Sequence, residues 1–155
     1  MADPIRLFAE FKDDQNESWR VNIHDEDFTG SATEFTLGAD GFVLRYSGDN
    51  ENRYQPVIGS ELTFSLVEQV SAETTFMDLL STSAEQRFSV SVRKDPDNTN
   101  TFFWGGVILP EQVVRPDQYF PIVNTITASD DLGNLNDVDY NNDGTAYGGT
   151  ISALY

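Results

Sequence analysis

Apolar and polar residues alternate with a period of two along most of this chain, the pattern of strands that bury one face and wet the other. Ile5, Leu7, Ala9 and Phe11 form a first apolar row; the polar run Asp13-Asp14-Gln15-Asn16-Glu17 interrupts it, and Trp19, Val21 and Ile23 take it up again. That reads as an opening hairpin. Phe35-Thr36-Leu37, a turn at Gly38-Ala39-Asp40-Gly41, and the row Phe42, Leu44, Tyr46 predict a second one. Beyond the polar loop Ser47 to Asn52, the segment Pro56-Val57-Ile58-Gly59-Ser60 leads into Leu62, Phe64 and Leu66, another half-buried strand, with Pro56 and Gly59 marking an edge or a bend.

The period changes once. From about Ser71 to Leu80 the spacing of Phe76, Leu79 and Leu80 is helical, Ser71 is placed to cap, and Glu73 suits the positive end of the helix. Strands resume with Phe88, Val90 and Val92, turn at Asp95-Pro96-Asp97-Asn98-Thr99-Asn100, and return through Phe102 to Leu109. An irregular connection from Pro110 to Asp117 precedes the last strand, Tyr119 to Ala128. The expected fold is mainly β, a barrel or a sandwich with one short helix. The expected organisation is one β domain over residues 1–128, then an acidic, turn-rich segment over 129–155 whose final apolar residues, Ile151 to Tyr155, lead towards a further region.

Composition supports one folded core: 155 residues, 39% hydrophobic, with 11 Phe, 6 Tyr and 2 Trp. No run approaches the roughly 18 apolar residues of a membrane helix, and the start, Met1-Ala2-Asp3-Pro4-Ile5-Arg6, lacks the pattern of a signal peptide, so synthesis in the host cytoplasm without export by a signal peptide is expected. The absence of cysteine excludes disulfide and thiolate chemistry. A net charge of −17, from 26 acidic and 9 basic residues, repels phosphate and argues against nucleic-acid binding. The same charge either keeps the surface hydrated or lines a channel through which DNA slides without sticking.

Candidate chemistry is sparse. Asp139, Asn141 and Asp143, followed by Gly144, match the first half of a calcium loop, but Thr150 stands where the closing bidentate carboxylate belongs, and an Asx-type turn gives the same residues. His24-Asp25-Glu26-Asp27 reads as a solvated acidic loop, because consecutive residues point apart and one histidine cannot build a multi-histidine site. No nucleophile motif is present, and a carboxylate pair is a signal that any acidic chain gives. Phe102, Phe103, Trp104, Tyr119 and Phe120 read either as a sugar-stacking platform or as core, the alternation of Phe102 and Trp104 with Phe103 favouring core. The chain is expected not to be an enzyme.

Four pieces in order resemble a family of phage tail baseplate and hub proteins from Bacteroidetes-type phages. They are Trp19-Arg20-Val21-Asn22-Ile23; Phe42-Val43-Leu44-Arg45-Tyr46 with its acidic loop and Gln55-Pro56-Val57-Ile58-Gly59-Ser60; Phe103 to Pro110; and Thr125-Ile126-Thr127-Ala128-Ser129-Asp130-Asp131-Leu132-Gly133-Asn134-Leu135. The resemblance implies the N-terminal β domain of a tail-hub protein, a virion component at the tail tip. Such a domain packs into a cyclic ring, a trimer or hexamer, that continues the tail tube and holds other tail proteins. Family members are longer, so the end at Tyr155 departs from the pattern. Large aromatics at strand ends, Trp19, Tyr46, Tyr54 and Trp104, are the expected contact residues. No cofactor is required, calcium at Asp139, Asn141 and Asp143 being the one candidate. The rival class is a monomeric β-sandwich that binds a glycan or surface ligand, with that calcium.

Overall fold

A computed structural model describes residues 4–46, 59–69, 71–83, 87–116, 119–130, 141–142 and 145–146. The period-two rows become β1 (Ile5–Lys12), β2 (Ser18–Asp25), β3 (Thr33–Glu34), β4 (Thr36–Tyr46), β5 (Ser60–Glu68), β6 (Phe88–Lys94), β7 (Thr101–Ile108) and β8 (Ile122–Ser129), and the helical row becomes α1 (Ser71–Thr82). A two-residue ladder, β9 (Asn141–Asn142) with β10 (Thr145–Ala146), follows.

The eight strands form one sheet in the order β3-β1-β2-β6-β7-β8-β5-β4. Its two ends are consecutive in sequence. β3 pairs in parallel with β1, Leu7 opposite Thr33 and Phe8 opposite Glu34, and the Phe35 amide donates to the Phe8 carbonyl at 2.8 Å. One residue later the same stretch of chain begins β4 and pairs with β5. The sheet is thereby nearly closed into a barrel, which removes most of the unpaired edge that an open sheet leaves.

Strict alternation fills the interior. Along β5, residues Ser60, Leu62, Phe64, Leu66 and Glu68 are buried and those between are only partly so; β8 buries Ile122, Asn124, Ile126 and Ala128 and leaves Val123 exposed between them. Leu7, Val21, Ile23, Val90 and Val92 meet them from the other wall. α1 joins the end of β5 to the start of β6 and covers that end of the barrel with Phe76, Met77 and Leu80, each at most 2% exposed. The Phe76 and Phe88 rings meet edge to face at 5.3 Å. The side chain of Ser71, the expected cap, lies outside the described residues.

The structure corrects two expectations of local geometry. Gly38 to Gly41 make no hairpin turn: Leu37 pairs with Leu66 and Phe42 with Phe64, so both flanks run the same way along β5, and four residues bulge out opposite Ser65. Gly41 takes φ +61°, a conformation glycine adopts without strain. In β7, Arg93 pairs with Phe102 but Val92 with Trp104, so Phe103 is an extra residue and simple alternation fails there. The β7–β8 ladder is short, Val107 with Ser129 and Ile108 with Ala128; the chain then continues along β8 through the Leu109 amide, which donates to the Thr127 carbonyl, and the bridge of Val114 to Thr125.

Candidate functional site

Three features stand out on this scaffold: an aromatic cluster at the end of the barrel away from α1, exposed apolar residues beside β8, and the buried carboxylates Asp25 and Glu68.

The aromatic cluster gathers residues from four strands. Phe11 and Trp19 face each other across the β1–β2 ladder. Phe42 stands edge-on to both, at 5.8 Å and 73° from Phe11 and 5.7 Å and 71° from Trp19; Phe103 closes on Trp19 at 5.0 Å and 83°. The bulge in β7 brings Phe103 here, and the bulge in β4 sets Gly41 beside the Phe11 ring. Asp13, in the hairpin turn, accepts hydrogen bonds from the Trp19 indole at 3.0 Å and from the Gln15 and Glu17 amides at 3.0 and 2.8 Å. The indole hydrogen bond first, then the two amides, hold its carboxyl below the usual aspartate value. A cleft of about 410 Å³ opens between the Asp13 turn, Phe11, Trp19, Phe42 and the β4 bulge.

The apolar strip lies on the outside. Val123 on β8 is 43% exposed, and Val114, bridged to the neighbouring Thr125, is 61% exposed. Tyr119 and Phe120, which lead into β8, are 97% and 60% exposed. Val114 and Val123 thus lie on the outward side of the β8 ladder, and Tyr119 and Phe120 stand in the segment that enters it.

Asp25 corrects the solvated-loop reading of residues 24–27. It continues the inward parity of Val21 and Ile23, is fully buried, and takes Arg6 at 2.7 Å and Arg87 at 3.1 Å, while Glu26 and Asp27 stay exposed. Burial pushes its carboxyl upward, and the hydrogen bonds from Arg87 and Arg6 outweigh that and leave it below the usual value. His24 instead bonds Ser91 Oγ at 2.8 Å on the adjacent strand. Glu68, equally buried, accepts from Arg115 at 2.7 Å and from the Asn124 amide at 3.1 Å, and Arg115 also reaches Asp78 on α1 at 2.8 Å. This links the segment after β7 to the helix and the barrel wall. Hydrogen bonding to Asp78 is the first cause that raises the Arg115 pKa.

The expected contact residues part company. Trp104 is 6% exposed and packs in the core, its indole donating to Ser60 Oγ at 2.9 Å while that hydroxyl and the Ser60 amide both donate to Asp130 at 2.7 Å. Trp19 is half-buried in the aromatic cluster, Tyr46 is 68% exposed at the end of β4, and Tyr54 lies outside the described residues. Of the five aromatics that the alternation assigned to the core, only Trp104 is there: Phe102, Phe103, Tyr119 and Phe120 are exposed, and no single platform joins the two pairs, because β7 meets β8 only at the far ends of both strands. Asp139 and Asp143 also lie outside the described residues, and Asn141 sits in β9. Among the described residues no three His, Cys, Asp or Glu side chains gather to hold a metal ion, and no helix is long and apolar enough to cross a membrane. Phe11, Phe42, Val114 and Val123 were not singled out by the sequence as surface residues; the period-two rows assigned Phe11 and Phe42 to the core, and single valines carry no signal.

The fold defines a mainly β, nearly closed single-sheet barrel with one covering helix. No protein-family model matches the chain, and no curated protein and no solved structure matches it significantly.

Proposed function

We propose that this chain is a structural β-barrel component of a phage tail tip or baseplate hub, which works by packing side by side into a cyclic ring and performs no chemistry. The observation that carries the reading is the strip of Val114, Tyr119, Phe120 and Val123, a group of apolar side chains left in water on a protein of net charge −17. These four side chains carry no charge themselves on a molecule whose net charge repels its copies, so contact through them would bury apolar area at low electrostatic cost. Repetition of one such contact by rotation gives a closed ring. The resemblance of four sequence segments to tail-hub proteins supports the same reading, and the acidic surface suits the wall of a channel that passes DNA without binding it.

Negative-stain imaging of the purified chain tests this. Rings of three or six units with a central opening are expected; fields of single small particles at every salt and protein concentration would oppose it. The second reading, a monomeric binding module, draws on the cleft beside Trp19, whose volume lies in the range of ligand pockets.

A further inference from the structure

The barrel does not close completely. β4 pairs with β5 on one side only, β1 pairs with β2 and with the two residues of β3, and no ladder joins β1 to β4 among the described residues. Between β1 and β4 runs a seam whose walls carry unpaired backbone.

The bonds on the far sides of these strands show which groups face the seam. In an antiparallel ladder, residues that bond their partner alternate with residues whose N–H and C=O point the other way. The Asp130 amide donates to the Ser60 carbonyl at 3.1 Å, and the Ser60 amide donates to the Asp130 carboxylate at 2.7 Å, so Ser60 bonds towards β8 and away from Tyr46. By that parity Val43 and Arg45 bond to β5, while Phe42, Leu44 and Tyr46 point N–H and C=O along the free side of β4. On β1, the Phe8 carbonyl accepts from Phe35 at 2.8 Å, which puts Glu10 and Lys12 on the seam by the same count. The β4 bulge ends at Gly41, and pairing with β5 is regular from Phe42 to Tyr46. β1 turns back towards β2 at Asp13, where the Asp13 amide donates to the Glu17 carbonyl at 3.0 Å, and no described backbone group bonds Leu44 or Tyr46 on the free side. An unpaired, regular strand edge is a template for another strand.

Charge decides what kind of strand. The clefts along the seam, of about 410 and 330 Å³, are lined by Glu10, Asp13, Asp14 and Glu34, with Lys12 the one cation among the described residues. The whole-molecule charge of −17 repels a second copy of this chain and draws in a basic one.

We propose that the free edge of β4, from Phe42 to Tyr46, takes up an extended basic segment of a partner protein as a further strand. Backbone hydrogen bonds to Phe42, Leu44 and Tyr46 supply affinity, and the seam carboxylates select positive side chains. The inference is independent of ring assembly, since one chain holds the whole edge.

The test titrates the peptide acetyl-Lys-Val-Lys-Ile-Lys-Val-Lys-amide into the isotope-labelled full chain and follows amide signals and their hydrogen exchange by nuclear magnetic resonance. Saturable binding is expected, with exchange slowed at Leu44 and Tyr46 and unchanged at Val43 and Arg45, which already bond to β5. The fully N-methylated peptide keeps every charge but cannot donate to a ladder, and should bind about tenfold more weakly or worse. The counterpart with Glu in place of each Lys should not bind. Tyr46→Pro removes an outward N–H without breaking a bond to β5 and should weaken binding several-fold, an unmoved Trp104 indole signal showing that the fold is intact. Absence of saturable binding, equal affinity for the N-methylated or the acidic peptide, unchanged affinity in Tyr46→Pro, or protection confined to other strands would each overturn the proposal. So would protection of Leu44 and Tyr46 that grows with chain concentration alone, because the occupant would then be a second copy.

Discussion

Replacing Asp25 by Asn removes one negative charge from a place that two guanidinium groups fill. The carboxylate has no exposed surface; Arg6 Nη1 lies 2.7 Å from Oδ2, Arg87 Nε 3.1 Å from Oδ1, and the Asp27 amide donates to Oδ1 at 3.2 Å. The side chains of Arg6 and Arg87 are only 14% and 26% exposed, so neither recovers full hydration when its partner loses charge. Breaking a buried ion pair costs about 3–5 kcal/mol; the partial exposure of both arginines and the amide oxygen that Asn retains reduce this to about 2–3 kcal/mol. That is a large share of the roughly 5–15 kcal/mol by which a domain is stable. Urea unfolding at neutral pH should show a lower midpoint with an unchanged slope. The pH dependence is a second constraint. Because the native pKa lies below that of the unfolded chain, the stabilisation is complete above the unfolded value of about 4 and is lost as pH falls through the native one. The gap between wild type and Asp25→Asn should therefore be level from neutral to mildly acidic pH and narrow in strong acid. A gap below about 0.5 kcal/mol at neutral pH, the scale of an ordinary surface change, or one that widens in acid, would refute the argument.

Other substitutions probe the closure of the barrel and the packing of the helix. Gly106→Ala would place a Cβ 2.1 Å from the Ser129 carbonyl oxygen, so the short β7–β8 ladder must open; a loss of about 3 kcal/mol is expected, read as a fall in thermal midpoint, and an unchanged midpoint would mean that the strands do not meet there. Phe76→Ala should cost about 3–5 kcal/mol in urea unfolding, because the ring is fully buried against Phe88, and a cost below about 1 kcal/mol would show that α1 does not cover the core. Arg115→Met leaves Glu68 buried with the Asn124 amide as its remaining partner among those described here, and should cost about 2–3 kcal/mol; Asp78→Asn, at the exposed end of the same arginine, should cost under about 1 kcal/mol, and the reverse order would contradict the burial argument.

The sequence shows the fold wherever period and turn chemistry agree. The β1–β2 and β6–β7 hairpins, β8 and α1 follow from alternating rows bounded by Asp/Asn-rich turns and from the single helical row at Phe76 to Leu80. The β4 bulge is hidden because Gly38-Ala39-Asp40-Gly41 is equally good turn chemistry, and only the distant β5, which takes up both flanks, decides between them. β3 closes the barrel with two residues, too few to show any period. Asp25 and Glu68 keep the inward parity of their strands, but partners at Arg6, Arg87 and Arg115 lie far away in sequence. For the same reason the aromatic cluster is legible only residue by residue: its four members come from four strands, and one arrives through an extra residue in β7. Trp104 shows the converse, a large aromatic that an inward register commits to the core.

The central claim, that this barrel assembles through the strip beside β8, is tested most directly by absolute mass in solution from light scattering, wild type beside Phe120→Asp and Val123→Glu. Both positions are already in water, so the substitutions spare the fold and add charge only to the strip. The account predicts a wild-type mass three or six times that of one chain, strengthened by salt that screens the net charge, and a monomer for either variant. Wild type and variants of the same mass under all these conditions would contradict it.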